Sequence, residues 1–388
     1  MFKTLAIPRH RTVTPIGMDV GLTGVRAAQL RQVRGQWSLT RAVHWQLRRA
    51  DDQQQGVSAV EDRLRRAFRH NEFSGRTLVF GLSQPDVELH ALELPEQGSG
   101  LGESQIESAA RWEIERLGRF EQGTTETAHW RLPPGRGTRT TAFGVAAPKE
   151  LLGEIWGLCQ TVRGDCGRID AAACALSRAG VLLRPPQSDE VWGILDLGAR
   201  AVRLVLCVDG VPVLARSIEG GGMAWTESVA LTLQVSTDSA ELHKCDHGIR
   251  PPGSIAGAGP VESSEAGSEA GPLAMVGEMV FSALGGELER IAGEIERSYE
   301  YVLQCYPGRR AADLILVGGG AALKNLDTWL ARRLGIPVTA ADAYLERPEA
   351  RITVAPTLSR SGPAASRRRM VAAYFCAIGL AVPLGGES

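Results

Sequence analysis

The 388-residue chain is 44% apolar, 22% charged and formally −1 at pH 7, which excludes a disordered polymer and a global positive field for nucleic acid. Its length predicts two or three domains. No apolar stretch reaches the roughly 18 residues that cross a bilayer. Met1 to Thr14 lacks a signal-peptide core, so a cytoplasmic protein with no direct membrane span is expected.

In chain order, the first strong pattern is an apolar strand from Ile16 that reaches Asp19-x-Gly21 and continues to Leu30. A turn at Arg34-Gly35 leads into a second β-rich run, Trp37 to Trp45. Val60 to His70 predicts a helix and Arg76 to Leu82 a strand. Ser104 with Glu107 suggests a capping box, after which Ile106, Ala110, Ile114 and Leu117 share one helical face. Thr140 to Ala147 predicts a strand and Lys149 to Val162 an amphipathic helix. The block from about Ser83 to Val162 therefore suggests a small α+β insert.

The opening pattern then returns. Val191 to Leu206 passes through Asp196-x-Gly198, turns at Asp209-Gly210, and continues from Val211 to Leu214. Asp-Gly between alternating apolar residues is a hairpin signal. In both copies a Val-Arg pair, Val25-Arg26 and Val202-Arg203, follows the Asp by six and seven positions. The two Asp residues lie 177 positions apart (196 minus 19), a spacing for a duplicated domain rather than a short solenoid repeat. Gly220-Gly-Gly222 precedes a helix from Thr226 to Leu233. Residues 246–272 read as a flexible Gly/Pro/Ser/Glu loop. A long helix follows with Leu284, Leu288, Ile291, Ile295 and Val302 on one face. Leu314 to Val317 predicts a buried strand running into Gly318-Gly319-Gly320, with a helix from Leu323 to Leu334. A second loose stretch, 347–369, precedes an apolar helix, Met370 to Leu380.

Asp19-x-Gly21, Asp196-x-Gly198 and Gly318-Gly-Gly320 each follow a strand. A tight turn there aims backbone N–H groups at a phosphate, and glycine permits close approach. A carboxylate at the strand end holds Mg²⁺ through water. Two such turns clamp a polyphosphate from both sides, and the triplet admits a base or ribose.

With these residues in place, the chain resembles the actin-like ATPase superfamily and, within it, the type IV pilus assembly family PilM, a relative of the cell-division family FtsA. Ile16–Gly21 resembles the first phosphate loop and Leu195–Gly198 the second. Gly221-Gly222 with Thr226 resembles the family's Gly-Gly-x-x-x-Thr element, and Ala240-Glu241-x-x-Lys244 its Ala-Glu-x-x-Lys stretch. Glu294–Ser298 with Tyr301 resembles a helix of the pilus family, and Gly318–Gly320 the adenosine loop.

The resemblance implies an α/β fold of duplicated actin-like (ribonuclease H-like) domains with an inserted small α+β subdomain. The first half would span 14–82, the insert 83–165, a return 166–188, the second half 189–345, and a returning C-terminal segment 346–388. Implied cofactors are ATP and Mg²⁺. Implied ligands are Asp19, Gly21, Thr23, Arg26, Asp196, Gly198, Arg200, Gly221, Gly222, Glu241, Lys244 and Gly318 to Gly320. Asp19 and Asp196 would hold Mg²⁺ through water. The implied role is a cytoplasmic platform, peripheral to the inner membrane, that grips the N-terminal tail of a PilN-like bitopic protein. Pilus motor or platform proteins and a second copy of the chain are further implied partners, and nucleic acid is not.

The sequence departs from the family pattern at both loops. Leu22-Thr23-Gly24-Val25-Arg26 keeps one hydroxyl, with Arg26 where Lys is common. The second loop reads Ala199-Arg200-Ala201, leaving Arg200 as its charged phosphate partner. These departures predict nucleotide binding with weak or absent hydrolysis. The alternatives are an actin-like scaffold that has lost nucleotide, an FtsA-like filament protein, and a kinase of the same superfold.

Other signals take a structural reading. His243, Cys245 and His247 would share a face only if extended, and in a helix they diverge. Asp170 reads as an N-terminal charge on an Ala-rich helix. Arg367 to Arg369 reads as a solvated helix entry. The seven Cys have no C-x-x-C spacing and are expected as reduced, mostly buried thiols.

Overall fold

The computed structural model describes residues 12–46, 56–95, 102–121, 123–251, 272–359 and 370–384. The repeated pattern becomes two sheets of matching order. In the first, Ile16–Gly21 (β2), Gly24–Val33 (β3) and Gln36–Gln46 (β4) form an antiparallel meander. Thr77–Leu82 (β5) adds parallel to β2, and Asp165–Ala171 (β9) parallel to β5. Thr12–Val13 (β1) pairs with β3. In the second, Glu190–Leu197 (β10), Ala201–Val208 (β11) and Val211–Glu219 (β12) form the meander. Arg310–Val317 (β13) and Val338–Ala340 (β14) extend it in parallel. Both meanders turn where the sequence requires positive φ: Arg34 and Gly35 at 53° and 84°, Asp209 and Gly210 at 53° and 80°.

Helices cover the sheets. Gly56–Arg69 (α1) and Lys149–Thr161 (α3) pack on the first, and Ala172–Leu183 (α4) lies between the halves. Gly222–Leu233 (α5), Thr237–His247 (α6) and Pro272–Cys305 (α7) belong to the second half, with Leu326–Leu334 (α8) beside β14. The predicted apolar face of α7 is buried at all five positions. Every residue of β10 is buried, as expected for a strand covered on both faces.

The insert holds a three-stranded sheet, Glu88–Leu92 (β6), Ala142–Pro148 (β8) and Thr125–Arg131 (β7), under Glu103–Leu117 (α2). Its core is Leu92, Leu94, Ala110, Ile114, Ala142 and Ala146. The expected capping box at Ser104 and Glu107 is replaced. Gly102 is the cap, and the Gln105 side chain accepts from its N–H at 2.8 Å. Leu117, expected on the buried face, is 40% exposed.

The C-terminal segment returns to the first half. Met370–Ala373 and Phe375–Ala381 form two helical pieces, where one helix was expected. The second piece crosses β2 so closely that a side chain on Gly17 would strike its backbone, and Gly379 lies as tightly on α4. Phe375, Ile378 and Leu380 are buried, each contributing about 1.5–3 kcal/mol. The stretch expected to be loose contains a strand, Ile352–Val354 (β15), pairing with β4. The helix expected from Leu323 begins at Leu326, because Gly319–Ala322 winds as a 3-10 turn. Residues 252–271, most of the expected loop, and Arg367 to Arg369 lie outside the described residues. Among the described residues no helix is long and apolar enough to cross a membrane.

Candidate functional site

The two sheets face each other across a cleft of about 1780 Å³, larger than the roughly 300–1,000 Å³ of common small-molecule sites. Of the sequence-predicted residues, all but Gly221 line it. Gly221 instead caps α5, with no room for a side chain against the Gly198 carbonyl.

Strand register sets the charges. Asp19 and Asp196 end equivalent strands, and their antiparallel partners are Arg26 and Arg203. Directly opposed residues on such a pair share a face. Arg203 donates to Asp196 Oδ2, and the same Nη2 lies 4.0 Å from Asp19 Oδ1. Asp196 is 4% exposed. Burial pushes its carboxyl above the usual range, with Arg203 pulling against the rise. Burial works against the Arg203 charge, but Asp196 and Asp19 outweigh it and raise its pKa. Burial first, then Asp19, push the neighbouring Cys376 thiol well up.

The second loop is braced rather than open. Gly222 N–H donates to Gly198 O at 3.0 Å and Met223 N–H to Ala199 O at 2.9 Å. Lys244 is engaged in its own half, donating to Gly222 O at 3.0 Å and Thr226 Oγ1 at 2.7 Å, with Glu241 Oε2 at 2.6 Å. Burial would raise the Glu241 carboxyl, but hydrogen bonds from Lys244 and Thr226 hold it low.

The glycines divide. At Gly198, Gly318 and Gly320 an added Cβ would come within 2.8 Å of backbone or packed side-chain atoms, so those positions close the fold. At Gly21, Gly222 and Gly319 the nearest contact is 3.5 Å or more, an ordinary van der Waals distance, so these cleft-lining positions have room for a side chain. The atom met at Gly319 is Arg26 Nη2, so Arg26 reaches from the first half to the triplet. Arg200 faces Asp86 across the cleft; burial raises the Asp86 carboxyl and Arg200 pulls it back. Trp225 walls the cleft and its indole N–H is buried without a hydrogen-bond partner.

Other expectations resolve locally. Asp170 lies on β9, not at a helix start. It accepts from Arg168 at 3.2 Å and from Arg178. Those arginines also donate to Gly379 O, Leu380 O and Val382 O, so Asp170 anchors the C-terminal helix and does not line the cleft. His243 and His247 stack on α6 at 5.6 Å, with Cys245 two residues from each and bonded to Glu241. Among the described residues no cluster of three or more His, Cys, Asp or Glu converges on a metal position. All seven cysteines are free, four buried, and Cys245 is exposed.

Paired meanders flanking a cleft, each with a strand-end Asp, define an actin-like ATPase fold. Among solved structures, a chain of the PilM–PilN type IV pilus biogenesis complex superimposes with a TM-score of 0.69 at 19% identity, covering 96% of this chain and 98% of that one. The protein has a PilM-like actin fold. Ethanolamine utilization protein EutJ from Carboxydothermus hydrogenoformans follows at TM-score 0.48 and 10% identity, covering 97% and 93%. MreB5 of Spiroplasma citri bound to ADP stands at 0.45 and 13%, covering 86% and 92%. No protein-family model matches the sequence, and no curated protein matches it.

Proposed function

We propose that the protein is a nucleotide-binding platform of type IV pilus or related pseudopilus assembly, holding ATP between its halves and gripping the tail of a PilN-like inner-membrane partner. The observation that carries the reading is the end-to-end likeness to the PilM–PilN chain, joined to a cleft that gathers the two Asp-x-Gly loops and the glycine triplet.

The residues present fit a nucleotide. Arg26 and Arg200 supply charge for phosphates from opposite sides. Uncrowded glycines at Gly21 and Gly319 leave room for close approach. Glu241, about half exposed, would accept from a ribose hydroxyl. They do not fit a cation held between Asp19 and Asp196, because Arg203 already lies there. Bound ATP would supply negative charge that Arg26 and Arg200, from opposite walls of the cleft, would share. Turnover is slow, because the second loop offers no hydroxyl and Asp196 is tied to Arg203 and poorly placed to activate water. In the cell the chain sits at the cytoplasmic face of the inner membrane, held there by its partner.

Two measurements test this. ATP at about 100 times its dissociation constant adds about 2.7 kcal/mol to the folded state, a measurable rise in unfolding temperature. A labelled peptide of the cytoplasmic N-terminal tail of the organism's own PilN-like protein binds the purified chain in anisotropy titrations. Absence of both signals rejects the platform reading. Tail binding without an ATP shift leaves an actin-shaped scaffold that uses no nucleotide.

A further inference from the structure

We infer that Arg203 does the work of a divalent cation in this cleft, so that the polyphosphate ligand binds without metal. The inference rests on the nucleotide reading above and adds the ionic form in which the ligand is taken.

The two meanders are copies, yet they use their second-strand arginines differently. Arg26, opposite Asp19, extends across the cleft toward Gly319. Arg203, opposite Asp196, folds back onto the carboxylates, bonding Asp196 Oδ2 and approaching Asp19 Oδ1 at 4.0 Å. One guanidinium thus lies between the strand-end acids of both halves. The remaining oxygen of Asp196 faces the Gly318 backbone, at which an added Cβ would collide with it.

Mg²⁺ demands near-octahedral oxygen ligation and keeps several waters, which a cation-filled gap between two acids does not offer. Displacing Arg203 would leave a poorly solvated guanidinium without its partners, the costly half of breaking a buried pair. A guanidinium presents five donors and stays charged at every working pH. After satisfying the acids it keeps donors for phosphate oxygens. Arg26 and Arg200 add fixed positive charge around the same space. Together the three arginines offset polyphosphate charge that Mg²⁺ would otherwise neutralise.

The test is calorimetric titration of ATP into the full chain, in EDTA and in millimolar Mg²⁺. The dissociation constants should agree within about threefold. Binding that weakens about tenfold or more in EDTA overturns the inference while leaving the nucleotide reading intact. No binding in either buffer overturns both. Arg203→Ala leaves the two carboxylates facing each other without their cation, and ATP binding should then depend on Mg²⁺ by about tenfold or more. Arg203→Lys keeps the charge and should restore metal-independent binding. A folded Arg203→Ala chain that binds ATP equally well in both buffers removes Arg203 from the role.

Discussion

Gly318 and Gly319 are neighbours in one triplet, but the structure assigns them different work, and alanine separates the two. Gly318 has φ 80° and ψ 179°, a region that is essentially glycine-only and costs about 1–3 kcal/mol for other residues. A Cβ there would also strike Asp196 Oδ1 and stand 2.8 Å from Leu197 O, adding about 1–3 kcal/mol of overpacking. Gly318→Ala should therefore lose about 2–6 kcal/mol, read as a lower urea midpoint at unchanged slope. Gly319 has no positive φ, and its nearest neighbour is the mobile end of Arg26 at 3.5 Å. Gly319→Ala should stay within about 0.5 kcal/mol of the parent, whereas Gly319→Leu should fold and weaken ATP binding about tenfold. Equal stability losses at the two positions, or none at Gly318, would refute the division between closing and open glycines.

Two further outcomes follow from ion pairs and a third from a close backbone contact. Glu88 accepts from Arg119 N–H at 2.9 Å, Arg119 Nε at 3.0 Å and sits 3.2 Å from His90. Burial opposes ionisation there, yet these partners hold the carboxyl below its ordinary value of 4.5. A lowered folded-state pKa gives stability that is present above the unfolded value and lost as pH falls through the folded one. Acid unfolding of the chain should therefore steepen below pH 4.5, and Glu88→Gln should flatten that limb of the thermal-unfolding curve. Arg178→Ala breaks the pair with Asp170 and frees Gly379 O, so amides of Phe375–Ala381 should exchange faster while ATP affinity holds; unchanged exchange would contradict the anchoring role. Gly137→Val puts a side chain into the Gln304 carbonyl. It should detach the insert from the second half, where Gly137 N–H meets Cys305 O at 3.1 Å and Trp130 Nε1 meets Pro212 O at 2.9 Å. Faster hydrogen exchange at the Trp130 indole N–H would report it, and exchange unchanged from the parent would contradict it.

The parts of the fold legible in the sequence are those with local signals. Arg34-Gly35 and Asp209-Gly210 fix their turns by backbone conformation alone, and α7 carries its periodicity over nine turns (34 residues at 3.6 per turn). Strands without alternation stayed hidden. Thr125–Arg131 mixes polar and apolar residues on an insert sheet, and Asp165–Ala171 is polar because Arg168 and Asp170 serve the distant C-terminal helix. Ile352–Val354 becomes a strand only because β4 lies beside it. Ser104 has the right chemistry for a cap, but Gly102 takes that place two residues earlier, with Gln105 satisfying its N–H.

The cleft residues could be picked out because glycine and aspartate after a strand are rare enough to count together. Their separate tasks could not. Which glycine is closed depends on what its own half folds against it: Ala201 at Gly198, Asp196 and Leu197 at Gly318, Leu197 at Gly320. Arg203 carried a signal, the Val-Arg pair repeated in both meanders, but its reach to Asp19 belongs to the assembled halves. Lys244 was visible as a charge, while its capture by Thr226, Gly222 and Glu241 is a product of α5 meeting α6.

The proposed function places nucleotide in the cleft between the two sheets. Photolabelling with 8-azido-ATP, followed by peptide mapping, tests it most directly. The label should fall on the segment from Gly318 to Leu323 or on α5 and α6, and unlabelled ATP should compete it away. Labelling elsewhere on the chain, or none that ATP suppresses, would contradict the account.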